Sequence, residues 1–392
     1  MHEIASTPQN INLLQIIGTT MVGGMETYVL QLIENLPENR FNVVCLCPSE
    51  SAFTTRLREI GCTVYITPFA DEPDFLSLQI GTALIESEKI DIIHAHLPNA
   101  HLLAGILSKL TQTPALATIH GRCLFMRDLE IHRMMHTEIC VVSKSAYFHA
   151  LSLGITSKNL KYIPNGVDSK IFHPACKSDY LHSKINVEPG TPLIGFIGRL
   201  SYEKGPEVFL RAAKIAHAKI PACHFVLVGE GPMRERLEHE ISALGLSGFV
   251  HLAGLQGNMP KIYSSLELSV STSYSEGMPL AVIEAMASGL PVIATQVGGV
   301  VDVIEVGVTG FLNMPGDDEG VARNMAAIMT NPKLRKSMGK AGHKRAKEKF
   351  DLKNSVDQTA RLLMSLHSSG RSRPLPDNAT LIRPSVLPMP RT

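Results

Sequence analysis

Two glutamates in the stretch 275–294 have the residue type and spacing to bind a ligand along a helix. The stretch predicts a loop, a helix, a second loop and a strand, with Pro279 in the first helical turn and Gly289 at the helix end. Glu276 then lies just before the helix and Glu284 about two turns inside it, with the free N–H groups of the helix start between them. Those groups attract anions, so the arrangement would suit a sugar, a diphosphate and a ribose. Two solvated surface carboxylates would show the same spacing.

Two cations lie in a loop bounded by glycines at 198–205, directly after a predicted strand. Arg199 offers a planar fork and Lys204 a point charge, so the two could converge on a diphosphate. Two solvated loop cations are the alternative. Gly23 and Gly24 lie at the entrance of a predicted helix, where small residues let backbone amides approach a ligand closely. An ordinary turn between a strand and a helix would look the same.

Several histidines fall near the ends of predicted strands. His96, His120 and Ser143 lie at carboxyl ends, where parallel sheets bind their ligands. His94 and His96 would share one strand face, and His101 follows, which raises a metal site as one interpretation. Hydrogen-bonded histidines near a cleft are the alternative, and we favour it because no set of Asp, Glu or Cys accompanies these residues.

The elements that must position these residues alternate between strand and helix along the chain, which predicts doubly wound parallel sheets. At 392 residues the chain is long for one domain, and we expect two. The first is predicted at 1–172 and the second at 190–350, joined by a polar linker at 173–191. We expect residues 1–10 to be a disordered leader and residues 368–392, rich in Pro, Arg and Ser, to be a disordered tail.

Composition narrows the function classes. A net charge of +1 gives no attraction to nucleic acid. Seven cysteines without a CxxC pair, and the lack of a signal-peptide pattern, predict a reducing cytoplasm. No apolar run approaches the ~20 residues that span a bilayer, so the protein is expected to be soluble or at most peripheral. Residues 122–136 and the basic run 333–349 leave membrane contact open, although packed helices with a solvated face are favoured.

Five landmarks in order make the sequence resemble the retaining glycosyltransferases of the GT-B fold, family 4 (glycosyl transferases group 1). They are the glycine loop GGMETYVLQL, TIHG, PNGVD, GRLSYEKG and the E-x7-E spacing from Glu276 to Glu284. The resemblance covers roughly residues 11–367. It implies an α/β fold of two Rossmann-like doubly wound parallel-sheet domains that face a central cleft, with a C-terminal helix at 352–367 crossing back to the first domain.

The resemblance also implies roles for the residues. The second domain would bind a nucleotide sugar and the first an acceptor, and a hexosyl group would be transferred with retention. Arg199 and Lys204 would neutralise the leaving diphosphate, Glu276 would hold the sugar hydroxyls, and His120 would lie against the transferred sugar. The predicted donor-binding residues are Gly23, Gly24, Gly229, Leu255, Gly277, Met278, Leu280 and Glu284, the last on the ribose.

The expected substrates are a nucleotide sugar, with a UDP-sugar favoured over GDP-mannose, and a saccharide or lipid-linked acceptor in bacterial polysaccharide or glycoconjugate synthesis. No cofactor and no essential metal are expected, because Arg and Lys can do the electrostatic work and the sequence has no DxD motif. A nucleic-acid partner is not expected. Alternatives are a sugar phosphorylase or nucleotide-sugar epimerase of the same fold, or a non-catalytic sugar-nucleotide-binding scaffold. An NAD-dependent enzyme is disfavoured because GxGxxG is absent.

Overall fold

The first half of the chain alternates strands with helices. The computed structural model describes residues 10–21, 23–37, 39–69 and 71–371. The elements of this half are β1 (Ile11–Ile17), α1 (Gly24–Asn35), β2 (Phe41–Cys47), α2 (Ala52–Glu59), β3 (Thr63–Ile66), α3 (Phe75–Ser87), β4 (Ile92–His96), α4 (Pro98–Thr111), β5 (Ala115–Ile119), α5 (Met126–Met135), β6 (Glu138–Val141), α6 (Lys144–Ser152), a 3-10 helix (Ser157–Asn159) and β7 (Leu160–Tyr162).

The second half repeats the alternation and ends in three helices. Its elements are α7 (Tyr180–Ile185), β8 (Leu193–Ile197), a 3-10 helix (Tyr202–Lys204), α8 (Pro206–His217), β9 (His224–Val228), α9 (Arg234–Ala243), β10 (Val250–Gly254), α10 (Met259–Ser265), β11 (Leu268–Ser271), α11 (Leu280–Ala287), β12 (Val292–Thr295), α12 (Val300–Val303), β13 (Gly310–Asn313), α13 (Asp318–Met329), α14 (Pro332–Lys349) and α15 (Leu352–Arg371).

Each half forms one parallel sheet whose strand order reverses near its middle. The first sheet has 7 strands in the order β3-β2-β1-β4-β5-β6-β7, and the second has 6 in the order β10-β9-β8-β11-β12-β13. The reversals lie between β1 and β4 and between β8 and β11. Ligands of open parallel sheets bind beyond the carboxyl ends of the strands at such points. The prediction of two doubly wound domains is therefore confirmed, and the loops after these four strands are where a ligand would bind.

Strand β1 illustrates why these segments become central strands. Leu13, Leu14, Ile16 and Ile17 are all fully buried although they point to opposite faces of the sheet. Helices cover both faces of a parallel sheet, so its strands are apolar throughout instead of alternating with polar residues. The buried polar side chain of Gln15 is an exception in this strand.

The chain returns to the first domain where α14 gives way to α15. The N–H of Val167 donates to the carbonyl oxygen of Phe350 at 2.8 Å, and the N–H of Leu352 donates to the carbonyl oxygen of Val167 at 3.1 Å. Leu352 and Val356 then pack into the core of the first domain, together with other apolar residues of α15. The predicted crossing of the C-terminal helix is thus observed.

Helix α15 is longer than predicted. It runs to Arg371, so residues 368–371, which we expected to belong to the disordered tail, are helical. Extending an existing helix gains one hydrogen bond per residue without a new nucleation step, which a composition-based prediction ignores. The rest of that predicted tail, 372–392, and residues 1–9 of the predicted leader lie outside the described residues.

The predicted linker at 173–191 is partly wrong. Residues 180–185 form α7, and Leu181 is fully buried in the core of the second domain. Lys177 also joins that domain, since its Nζ lies 3.0 Å from Oε1 of Glu267. A helix of 6 residues is too short to give a readable hydrophobic period, so composition suggested a linker.

Both stretches considered for membrane contact form packed helices. In α5, Leu129 and Ile131 are buried, while Met126 and Met134 are exposed. In α14, small and apolar residues face the protein and the lysines are exposed. Among the described helices, none is both long enough and apolar enough to cross a bilayer.

We predict that Gly166→Ala weakens the return of the chain to the first domain. A Cβ at Gly166 would lie 2.5 Å from Cα of Leu352 and 2.8 Å from the carbonyl oxygen of Asp351, and this crowded backbone has little room to move. Urea unfolding should show a loss of about 1–3 kcal/mol. The control is Gly248→Ala, because in the described part of the chain no heavy atom lies within 4 Å of a Cβ at Gly248. Equal stability of the two variants would contradict the tight crossing.

Candidate active site

An ion pair between Lys204 and Glu276 joins the loop after β8 to the loop after β11. The Nζ atom of Lys204 lies 2.7 Å from Oε1 and 2.8 Å from Oε2 of Glu276. Ser273 donates from its Oγ to Oε1 of the same carboxylate at 2.7 Å. Because Glu276 is only 8% exposed, these partners offset the free energy required to bury its charge. The lysine and the first glutamate predicted from the sequence therefore meet directly.

The direction of Lys204 depends on the turn at Gly205. This glycine has φ of +61°, in the left-handed region, and a Cβ on it would lie 2.3 Å from the carbonyl oxygen of Thr272. Both features favour glycine. The chain can therefore turn into α8 while it stays against the end of β11, which keeps Lys204 beside Glu276.

Helix α11 begins at Leu280, one residue later than predicted, and it carries Glu284 about one turn inside the helix instead of about two. Pro279 has φ of −74° and ψ of 115°, which is extended, so it precedes the helix instead of lying in its first turn. Glu284 is 8% exposed and accepts a hydrogen bond from Oη of Tyr263 at 2.8 Å. Burial raises the pKa of Glu284 to about 7. At neutral pH this carboxyl group can therefore accept or donate a hydrogen bond to a ligand hydroxyl.

The loop that carries the ion pair meets the first domain at Gly277. A Cβ at this position would lie 1.8 Å from the carbonyl oxygen of His120, so the two backbones approach as closely as only glycine permits. One residue further, Asn165 of the first domain donates from Nδ2 to the carbonyl oxygen of Met278 at 2.9 Å. The two domains thus touch beside the ion pair, with His120 at the point of contact.

Arg199 reaches the first domain. Its Nη2 lies 3.9 Å from Sδ of Met21, in the glycine loop that follows β1. Burial raises the pKa of the nearby Glu26 to about 7, and the guanidinium charge of Arg199 partly opposes this effect. Arg199 and Lys204 therefore have different partners, and their convergence on one diphosphate stays a prediction.

The glycine loop leaves backbone open at the start of α1. Gly23 precedes the helix in extended conformation, and Gly24 is its first residue. Among the described residues, none has a heavy atom within 4 Å of a Cβ at Gly24, so they leave room for a ligand to approach this backbone. That such a ligand is the donor diphosphate stays a prediction.

His120 belongs to a cluster of imidazole rings at the carboxyl ends of β4 and β5. Its Nε2 lies 2.9 Å from Nδ1 of His96, and Nε2 of His96 lies 2.8 Å from Oε1 of Gln15. Nearby, Nε2 of His94 lies 2.8 Å from Oγ1 of Thr118. Burial lowers the pKa of His120 to about 3, so the ring is neutral at physiological pH.

The histidines considered as metal ligands have hydrogen-bond partners in the protein. Besides His94 and His96, Nδ1 of His101 lies 2.9 Å from Oδ1 of Asp128. Among the described residues, no three or more His, Cys, Asp or Glu side chains are grouped so that they could hold a metal ion. The geometry therefore favours hydrogen-bonded histidines over a metal site.

The other predicted donor-binding residues lie in loops after strands of the second sheet. Gly229 follows β9, and its N–H donates to the carbonyl oxygen of Gly254 at 2.9 Å. Leu255 follows β10 and is 69% exposed. Met278 and Leu280 have buried side chains, so a ligand could reach only their backbone groups. Contacts between these residues and a donor stay predictions.

The structure adds residues that sequence reasoning did not select. Gln15, Glu26 and Tyr263 are buried beside the predicted site residues. Gln15 could have been noticed as a polar residue within an apolar strand, and Glu26 as an acidic residue at the third position of a helix that starts at the second glycine of a pair. Nothing in the sequence indicated a role for Tyr263 at the site, because an aromatic residue in a short helix is usually part of the core.

Two family models match the chain, one for each domain. The model of Glycosyltransferase Family 4 matches residues 22–170. The model described as Glycosyl transferases group 1 matches residues 178–345. The second match contains both cations and both glutamates of the site, and the first contains His120.

Similar proteins of known name or structure extend over nearly the whole chain. A UDP-Gal:alpha-D-GlcNAc-diphosphoundecaprenol alpha-1,3-galactosyltransferase of Escherichia coli is 26% identical over 92% of this chain and 98% of its own length. A 2-deoxystreptamine N-acetyl-D-glucosaminyltransferase of Niallia circulans is 27% identical over 81% of this chain and 91% of its own. The crystal structure of HepE from Anabaena in complex with UDP-glucose superposes with a TM-score of 0.81 at 21% identity, covering 91% of this chain and 100% of that one.

We predict that the stability of the Glu284→Gln variant, relative to the wild-type protein, increases as the pH rises. The pKa of Glu284 is raised from 4.5 to about 7, so the stability from its bound proton is full below pH 4.5 and is lost as the pH rises through 7. Glutamine cannot ionise and can still accept from Tyr263. Between pH 5 and pH 8, the free energy of unfolding in urea, taken as variant minus wild type, should therefore rise by roughly 2 kcal/mol.

The matched control for this pH dependence is Glu235→Gln, which removes an exposed carboxylate from α9 in the same domain. Its stability relative to the wild type should change little over the same pH range. If Glu284→Gln behaves like this control, burial does not hold the proton on Glu284.

Proposed function

The chain belongs to the glycosyltransferases of the GT-B fold, and we propose that it moves a hexosyl group from a UDP-sugar to a saccharide or lipid-linked acceptor with retention at the anomeric carbon. The observation that carries this proposal is the meeting of the Lys204–Glu276 pair with His120 at Gly277. The loop after β11 thereby places the carboxylate of Glu276, with its partner Lys204, next to the backbone of His120 in the first domain. A cation that faces the leaving phosphate and hydrogen-bonding groups around the sugar would be required for the transfer.

The charges that develop in the reaction decide the residue roles. Breaking the bond between the anomeric carbon and the β-phosphate oxygen leaves negative charge on the diphosphate and positive charge on the sugar. Arg199, Lys204 and the N–H groups at the start of α11 would stabilise the diphosphate, as preorganised groups in a closed cleft. Glu276 would hold the sugar hydroxyls, and Glu284 the ribose.

Retention is proposed to occur by attack on the same face of the sugar. The acceptor oxygen forms its bond to the anomeric carbon as the phosphate leaves, and its proton passes to an oxygen of the departing phosphate. Glu276 accepts hydrogen bonds from Lys204 and Ser273, which supports a binding role over that of the nucleophile in a double displacement. Since His120 is neutral, it would orient the sugar by hydrogen bonding instead of donating a proton as an imidazolium.

The lysine is proposed to change partners during donor binding. Both carboxylate oxygens of Glu276 lie within hydrogen-bond distance of Lys204 Nζ. An arriving diphosphate would share the ammonium group, which carries three donor hydrogens. Glu276 would then have an oxygen available for a sugar hydroxyl. The ion pair thus keeps both groups in place and satisfied until the substrate arrives.

The names of similar proteins support the choice of substrates. UDP-Gal and a diphosphoundecaprenol-linked sugar appear in the name of the Escherichia coli enzyme, and HepE was crystallised with UDP-glucose. We therefore favour a UDP-sugar over GDP-mannose and propose a role in bacterial polysaccharide or glycoconjugate synthesis. We also propose a cytoplasmic site of action, peripheral at the membrane when the acceptor is lipid-linked, and no required metal ion.

A thermal-shift panel tests the donor class. The protein is heated with UDP, GDP, ADP, UDP-glucose, UDP-galactose, UDP-N-acetylglucosamine or GDP-mannose, each with Mg²⁺ and with EDTA. A ligand at about 100 times its Kd stabilises the native state by about 2.7 kcal/mol, which raises the Tm measurably. We expect a shift with uridine nucleotides that is the same in EDTA. A shift with only guanine nucleotides, or only with Mg²⁺, would overturn the donor class or the metal-free site, respectively.

Lys204→Ala should abolish most turnover in the folded protein, and it should also lower stability because it removes a partner of the buried Glu276 carboxylate. The variant loses the cation that faces the leaving diphosphate, and losing one such group typically lowers kcat by about 10²–10³-fold. Sugar transfer is measured with the donor that gave the thermal shift, and circular dichroism checks the fold. The matched control is Lys214→Ala, which removes an exposed lysine from α8. A rate near that of the control would contradict the phosphate-binding role.

A further inference from the structure

A chain of hydrogen bonds leads from the middle of the first sheet to His120. Gln15 in β1 lies 2.8 Å, Oε1 to Nε2, from His96 in β4, and Nδ1 of His96 lies 2.9 Å from Nε2 of His120. Gln15 and His96 are fully buried, so water does not compete for these bonds. A buried glutamine and a buried histidine are unusual occupants of central parallel strands, which are normally apolar.

The directions of these bonds follow from the chemistry of the groups. In the amide orientation that the structure gives Gln15, its oxygen faces His96 and can only accept, which puts the proton on Nε2 of His96. Burial and the neighbouring imidazoles lower the pKa of His96 well below its ordinary value, so this ring is neutral and carries one proton. Its Nδ1 is then an acceptor, and Nε2 of His120 must donate to it. His120 is also neutral, which leaves its own Nδ1 without a proton.

We propose that Gln15 and His96 are positioning residues that fix the tautomer of His120, so that it presents an unprotonated Nδ1 to a hydroxyl of the donor sugar. This inference rests on the proposed function, because it gives His120 its sugar-binding role. With Nδ1 as a hydrogen-bond acceptor, His120 would favour a sugar that offers a hydroxyl at that point. In the opposite tautomer, Nδ1–H would face the hydroxyl and the preference for a hydrogen donor on the sugar would be lost.

Packing holds the rings in the geometry that this chain of bonds requires. The ring of Tyr28 lies edge-on to His120, with centroids 4.8 Å apart, and to His96, with centroids 5.9 Å apart. The rings of His94 and His96 are 4.2 Å apart. We call the series Gln15–His96–His120 the relay. Rotating the ring of His96 or of His120 would disturb several neighbouring rings. The amide orientation of Gln15 would be transmitted to His120 because the single ring between them, His96, is packed against Tyr28 and His94.

The relay can be tested without any substrate by observing the histidine tautomers. Long-range proton–nitrogen correlation spectra of the ¹⁵N-histidine-labelled full chain distinguish protonated from unprotonated ring nitrogens. We expect His96 and His120 both to carry their proton on Nε2 in the wild-type protein. Protons on Nδ1 of both rings would mean that the glutamine amide faces the other way, and that result would overturn the proposal.

Two variants separate the relay from a general effect of losing a buried hydrogen bond. Gln15→Met keeps the side-chain length but removes the acceptor, so His120 should populate both tautomers. Thr118→Val is the matched control, because it removes a buried hydrogen bond to the adjacent His94 and leaves the relay intact. His120 should keep its tautomer in this control. A shift in both variants, or in neither, would contradict a specific relay.

Kinetics then connect the tautomer with sugar transfer. Gln15→Met should lower kcat/KM by roughly 10–100-fold, the effect of one misoriented hydrogen bond in the transition state, while UDP binding stays unchanged. Combined with His120→Ala, it should cause no further loss, because it acts through His120. Additive losses would overturn the relay. If the wild-type protein transfers no sugar, the proposed function fails, yet the spectra still decide whether the relay exists.

Discussion

The site depends on the contact between the backbones of the two domains at Gly277 and His120. A side chain at residue 277 would overlap the carbonyl oxygen of His120, so any larger residue would force the domains apart. A wider gap would separate the imidazole of the first domain from the carboxylate and the lysine of the second. Electrostatic stabilisation weakens as the distance between charges grows and as water enters. This one contact therefore controls both the separation of the groups and the access of water. The absence of a side chain is here the structural requirement.

Within the second domain the two glutamates of the site are hydrogen-bonded to neighbouring side chains. Lys204 and Ser273 compensate Glu276, and Tyr263 hydrogen-bonds to Glu284. Buried charges without partners would destabilise the fold by several kcal/mol each. The site therefore holds these side chains in arrangements that are stable without a ligand. In the proposed function, a donor would exchange contacts with these existing partners, so its affinity would depend on the strength of the internal hydrogen bonds and the ion pair.

Sequence patterns predicted much of the fold and the types of residue at the site, but not which residues pair. Apolar runs such as Ile11–Ile17 identify central strands because burial on both faces leaves little choice of residue. Lys204 and Glu276 could be selected from their loops, yet their pairing depends on the meeting of two loops 72 residues apart in the chain. The helix inside the predicted linker was missed because 6 residues carry no clear period. Gln15 contacts His96 on a strand that is adjacent in the sheet but 81 residues away in the chain, and a single sequence does not reveal such pairs.

The return of the chain at residue 350 has a mechanical consequence for the cleft. The polypeptide passes between the domains twice, and the two passages lie side by side, with Val167 bridged to Asp351 and bonded to Phe350 and Leu352. A single polypeptide connection would allow the two domains to rotate relative to each other about any axis. Two connections that are hydrogen-bonded to each other act as a hinge, which bends about a single line. Any opening of the cleft would thus be restricted to one kind of movement, and its reversal would bring Gly277 back to the same carbonyl group.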